Sequence, residues 1–173
     1  MGGGDKAAMT VGATSLLDRV LMATEDAVTT VVVGPERATC MPVIWTREKP
    51  AGSGPVAALA AGLELVTAQL VVLVAADLPF LTVEVVEHLV EAIEHDGVML
   101  VDAEGRDQYL CSAWRTASLR TADLTVDRLS SVVASLETTR VWLPPAPGRP
   151  APWTDCDTHE DLLSARKWAE ETT

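Results

Sequence analysis

Leu70-Val-Val-Leu-Val-Ala-Ala-Asp77-Leu-Pro79 is the stretch on which the fold turns. The run Leu70 to Ala75 carries no polar side chain, and a short apolar run rich in Val reads as a strand covered on both faces. Such a strand is expected at the centre of a sheet. Asp77-Leu-Pro79 ends it, because proline has no N–H to give to a ladder. Working outward, β-rich runs alternate with helical stretches. Upstream, Thr29 to Val33 reads as a buried strand closed by Gly34-Pro35, and Val43 to Trp45 as a weaker one. Ser15 can cap a helix with an apolar face of Leu16, Leu17, Val20 and Leu21. A loop of Lys49 to Pro55 leads into an Ala-rich helix, Val56 to Val66. Downstream, Thr82 can cap a helix to about Glu94, and Val98 to Val101 and Tyr109 to Trp114 are two strands joined through Asp102-Ala-Glu-Gly105. Thr116 to Leu136 is helical in pieces, Thr138 to Leu143 a late strand, and Pro144 to Pro152, with five of the ten prolines, an irregular segment. Trp153 to Asp157 is short and extended, and Thr158 caps a final helix. This pattern predicts an α/β layer fold with a mostly parallel central sheet, in one domain spanning 1–173.

Composition narrows the function. The 48% hydrophobic content can fill a core, and with aromatics at only 4% that core must be aliphatic. Thirteen Lys+Arg against 25 Asp+Glu give a formal charge of −12, which repels nucleic acid and anionic lipid, so neither is expected as a partner. An anionic substrate would need a local cation or a metal to draw it in. The apolar run Leu70 to Ala76 is far short of the roughly 20 residues that span a bilayer. Cys40, Cys111 and Cys156 form no C-x-x-C, which argues against a disulfide framework or a thiolate zinc site. A soluble cytosolic domain is expected.

Three clusters can carry chemistry. Asp77 follows the all-apolar strand, where a carboxylate suits Mg²⁺; it would serve equally as an Asx cap on the next turn. In Asp155-Cys-Asp157-Thr158, alternation places the two carboxylates on one face and Cys156 inward; the pair could offer a second metal ligand, or Asp157 and Thr158 could simply cap the following helix. Gly2-Gly3-Gly4-Asp5-Lys6 combines glycines that allow close backbone approach to phosphate with a point charge, as would a plain N-terminal tail. Gly52-Ser-Gly54-Pro55 before a helix is a weaker signal of the same kind. His88, His95 and His159 read as solvated residues on acidic helix faces, and neither G-x-G-x-x-G nor a P-loop occurs.

In this order the clusters resemble the molybdenum cofactor guanylyltransferase (MobA) family of nucleotidyltransferases. Met1-Gly-Gly-Gly-Asp5-Lys6 looks like the tail of the family's phosphate loop, L-A-G-G-x-S-x-R-M-G-x-D-K. Gly52-Ser-Gly54-Pro55 through Gly62-Leu63 is similar to its G-P-L-A-G-L-x-x-G-L helix start. Asp77-Leu-Pro79-Phe80-Leu81 resembles its D-x-P-[YF]-[LI] motif, and Asp155-Cys-Asp157-Thr158 through Leu162 its D-V-[ND]-T-P-E-D-L.

The resemblance implies a three-layer αβα, Rossmann-like nucleotide-diphosphosugar-transferase fold and Mg²⁺-dependent transfer of GMP from GTP to the molybdopterin cofactor. It implies Lys6 and Asp77 as catalytic residues, Gly3, Gly4, Asp5, Lys6, Gly54, Pro55 and Asp77 around the nucleotide, and Asp77 with Asp157 at the metal. A transient contact with other proteins of cofactor biosynthesis is implied as well. The closest alternative is a cytidylyltransferase acting on the same cofactor; the other is a non-catalytic nucleotide-binding relative. Three departures stand out. The sequence begins inside the first motif, so the family's first strand and glycine turn are missing, and losing a central strand should expose apolar edges. Glu48-Lys49 stands where the family often has Glu-Asp, and His159 where it has Pro.

Overall fold

The computed structural model describes residues 6–156 and 159–171. After a 3-10 turn, Lys6–Ala8, a small antiparallel pair, β1 (Thr10–Val11) and β2 (Thr14–Ser15), leads into α1 (Leu16–Ala23). Ser15 is the N-cap: its Oγ accepts from the Asp18 N–H at 3.0 Å, and Leu16, Leu17, Val20 and Leu21 are all buried. Then come β3 (Val31–Val33), β4 (Ile44–Thr46), α2 (Pro55–Leu63), β5 (Leu70–Val74), α3 (Val83–Glu91), β6 (Gly97–Val101), β7 (Asp107–Arg115), α4 (Thr116–Thr121), α5 (Leu129–Val133), β8 (Thr138–Val141) and α6 (His159–Glu171).

The main sheet runs β5-β7-β6-β8. β7 is antiparallel to β5 and β6, and β8 is parallel to β6, so β5, β6 and β8 share one direction and β7 opposes them. The reversal is built by the hairpin between β6 and β7. Asp102 Oδ1 accepts the backbone N–H of Glu104 at 3.0 Å and of Arg106 at 2.8 Å, and Gly105 turns the chain at φ 78°.

Side-chain alternation sorts the apolar residues into two layers. Val72, Val74, Val98, Leu100, Cys111 and Ala113 face α1 and α3 through Val20, Ala23 and Leu89. Val71, Leu73, Met99 and Trp114 face α2, α4 and α5 through Val56, Leu59, Leu63, Leu119 and Val132. The architecture is therefore three-layered, helices on both sides of a sheet. On the second face the fully buried Trp114 donates its indole N–H to Ser112 Oγ at 2.8 Å. Arg120 fastens α4 to the end of α2 by donating to the Val66 carbonyl at 2.6 Å.

The structure departs from expectation at β5. The strand is not central: among the described residues it pairs only with β7, Leu70 is exposed, and Val71 to Val74 are half-buried. Among the described residues β3 pairs only with β4, as a separate parallel pair. One helix roofs both edges, because α2 packs Gly62 against Val33 and Leu59 and Leu63 into the cluster of Val71 and Leu73. Full burial of an apolar strand needs neighbours on both edges, and here each of these strands has one. Two smaller differences concern a helix end and a histidine. α3 stops at Glu91 rather than Glu94, since Ile93 N–H turns back to the Val90 carbonyl, and His95 lies in the connection to β6 rather than on a helix, with Nδ1 3.7 Å from Glu137.

Candidate active site

The carboxyl ends of β5, β6 and β8 lie at one end of the sheet, the place where open α/β sheets take their ligands. Asp77 stands in the turn after β5. The turn is held by Ala75 N–H on the Leu110 carbonyl at 3.1 Å and Leu81 N–H on the Leu78 carbonyl at 3.3 Å, with Leu78 and Leu81 buried beneath it. The carboxylate is thus half-buried on a fixed backbone.

Two elements away, a cleft of about 680 Å³ opens between the β6–β7 turn and the segment after β8. Asp102, Arg106, Asp107 and Gln108 form one wall, and Trp142, Trp153 and Asp155 the other. Its floor is electrically paired. Burial by itself would raise the Asp102 carboxyl, but the backbone N–H and guanidinium of Arg106 outweigh it and hold the group below the ordinary value. Arg140 grips Asp107 with two bonds, Nε to Oδ1 at 2.7 Å and Nη2 to Oδ2 at 3.1 Å, and lowers its pKa. The salient apolar feature is Trp142, 51% exposed immediately after β8.

The Asp107–Arg140 pair sets a pH dependence. Since the folded carboxyl titrates below the ordinary 3.8, the stabilisation is complete above that value and is lost as pH falls through the folded pKa. With Arg140 half-exposed, Asp107→Asn should cost on the order of 0.5–1 kcal/mol near neutral pH and progressively less as pH falls below 3.8. Urea denaturation midpoints of the two proteins, measured across that range, should converge in acid; parallel curves would mean that the pair contributes nothing.

Of the residues singled out in sequence, Gly3, Gly4, Asp5 and Asp157 lie outside the described residues, as does Thr158. Lys6 opens the 3-10 turn, and its side chain also lies outside the description. Gly54 and Pro55 start α2: Gly54 is its N-cap at φ 91°, a conformation that favours glycine, and Pro55 takes the first helical position. No side chain caps this terminus, and Ala58 N–H bonds back to the Gly54 carbonyl at 3.1 Å. The loop before it is held by Glu48, whose Oε1 accepts the Gly52 N–H at 2.7 Å. Asp155 is exposed and Cys156 buried, as alternation required. Asp155 lines the cleft and Asp77 does not. Sequence reasoning missed the cleft itself. Its one signal was a pair of tryptophans flanking the proline-rich segment.

The donor set suits a hard ion. Among the described residues no three His, Cys, Asp or Glu side chains form a metal cage, and Cys111 and Cys156 are buried. Mg²⁺ takes one or two carboxylates together with water and substrate phosphates.

Comparison with known families matches residues 1–140 to the MobA-like NTP transferase domain. The chain belongs to the MobA-like NTP transferase family. Membership makes it a nucleotidyltransferase. A molybdenum cofactor guanylyltransferase of Rhizobium johnstonii is 30% identical, over 97% of this chain and 87% of the relative. Molybdopterin-guanine dinucleotide biosynthesis protein A of Archaeoglobus fulgidus shares the MobA-like fold at a TM-score of 0.73 and 16% identity, over 98% of this chain and 92% of that one. So does 2-C-methyl-D-erythritol 4-phosphate cytidylyltransferase of Thermus thermophilus, at 0.72 and 20%, over 97% and 95%. Among the described residues, no helix of this MobA-like chain is long and apolar enough to cross a membrane.

Proposed function

We propose that the chain, as one domain over residues 1–173, transfers GMP from GTP to the molybdopterin cofactor in the cytoplasm and releases pyrophosphate. The observation that carries the reading is the 30% identity to the Rhizobium johnstonii guanylyltransferase across 97% of this chain. The position of Asp77 at the carboxyl end of β5 supports it.

Asp77, with Asp157, would hold Mg²⁺, whose contribution when bound is to neutralise the phosphate charge of two anionic reactants. Gly3, Gly4 and Asp5 would pass close to the triphosphate, with the Lys6 ammonium as its point charge. The uncapped N-terminus of α2, turned by Gly54 and started by Pro55, presents backbone N–H groups and the positive end of the helix dipole to an anion. The cleft between Asp102 and Trp153 is large enough for the acceptor, and the face of Trp142 is available to a planar ring. In-line attack then requires positioning and charge stabilisation rather than a protein nucleophile.

The test is thermal unfolding with GTP, CTP and ATP, each with and without Mg²⁺. At about 100 times its dissociation constant a ligand adds roughly 2.7 kcal/mol, or about 5–10 °C for a chain of this size. GTP should give that shift only with Mg²⁺. A shift with CTP instead identifies a cytidylyltransferase, and no shift with any nucleotide overturns the catalytic reading for this chain.

A further inference from the structure

We infer that a second anion site lies between Arg19 of α1 and Arg149 of the proline-rich segment, on residues the proposed nucleotide and acceptor sites do not use, and that its ligand is a single phosphate-type oxyanion. The two arginines line a cavity of about 130 Å³, one phosphoryl group in scale, together with Phe80, Thr82 and Trp168, and no carboxylate is among its lining residues. In a chain of net charge −12, two arginines converging on a space without a carboxylate is an arrangement that calls for a ligand.

Each wall contributes to recognition. Arg19 donates Nη2–H to the Val11 carbonyl at 2.9 Å, but its Nε is fully buried and has no hydrogen-bond partner. Burial lowers the pKa of the Arg19 guanidinium, and an oxyanion in the adjoining cavity would favour its charged form. Arg149 is held over the Trp168 ring at 5.7 Å; that ring is set edge-on against Phe80 at 5.1 Å and donates its N–H to the Gly148 carbonyl at 3.2 Å. Thr82 is the N-cap of the nine-residue helix α3, and its side chain makes no capping bond, so the first N–H groups of α3 add a dipole of the right sign. Exposed Glu84 in the first turn of α3 interacts with the Thr82 hydroxyl and is drawn to Arg149. An oxyanion therefore competes with a solvated carboxylate for Arg149.

Inorganic phosphate is the probe, titrated against the full chain by calorimetry and thermal unfolding at constant ionic strength, with chloride as the reference anion. The wild type should bind phosphate, and Arg149→Gln should bind it roughly tenfold more weakly while keeping its Mg²⁺–GTP response. Arg128→Gln, which alters an exposed arginine elsewhere, should leave phosphate affinity unchanged. Because Arg149 is exposed, its variant should fold. The site is overturned if the wild type shows no phosphate binding, or if Arg149→Gln and the wild type bind phosphate equally.

Discussion

Asp77→Asn should lower kcat by at least about 100-fold, equivalent to about 2.7 kcal/mol of lost transition-state stabilisation, in an assay of pyrophosphate release with GTP, Mg²⁺ and molybdopterin cofactor. Asparagine keeps the size of the side chain and its ability to accept a hydrogen bond, but it removes the charge that a divalent ion requires. The turn around it is fixed by backbone bonds and by buried Leu78 and Leu81, so the melting temperature should stay within about 2 °C of wild type. A rise in the Mg²⁺ concentration needed for half-maximal rate would separate metal binding from a general loss of fold. Turnover equal to wild type would remove Asp77 from the metal.

Gly97→Ala is the largest stability effect expected. Gly97 opens β6 and is paired directly with Trp114 on β7. A methyl group there would overlap the indole ring and come within 2.8 Å of the Ala113 carbonyl oxygen. The ring cannot yield easily, being fully buried among α2, α4 and α5 and bonded through its N–H to Ser112. Overpacking of this kind costs about 3 kcal/mol, a fall of roughly 6–12 °C in melting temperature for a domain of this size. Differential scanning calorimetry checks it. Trp114→Phe in the same chain should recover part of the loss by making room, and a melting temperature unchanged in Gly97→Ala would mean that the β6–β7 register moves to absorb the methyl.

The local elements were legible because their signals are local. Ser15 followed by apolar Leu16, Leu17, Val20 and Leu21 specifies both the start and the buried face of α1. Asp102 and Gly105 specify the reversal that makes β7 antiparallel. Sheet order is different, because it depends on pairing between distant segments. The apolar content of Leu70 to Val74 indicates that β5 wants two covered faces, but not how many neighbouring strands it has. The cleft was invisible for the same reason: residues 102–108, Trp142 and Asp155 meet only once β6, β7 and β8 are side by side. Arg19 and Arg149 likewise carried no pattern in the sequence. For the motif residues at 77, 54 and 55 the order along the chain was informative, since each sits at the junction of a strand or loop with a helix.

The interruption of the sheet between β3 and β5 has a colloidal consequence. Among the described residues each strand is paired on one edge, and its other edge, flanked by valines, is a template for any extended chain, including another copy of itself. What opposes such pairing is the net charge of −12, which keeps copies apart while their fields overlap. At 0.1 M salt those fields decay over about 10 Å, only about two interstrand spacings. Association through these strands is thus a balance between long-range repulsion and short-range strand recognition, and ionic strength sets which of the two governs.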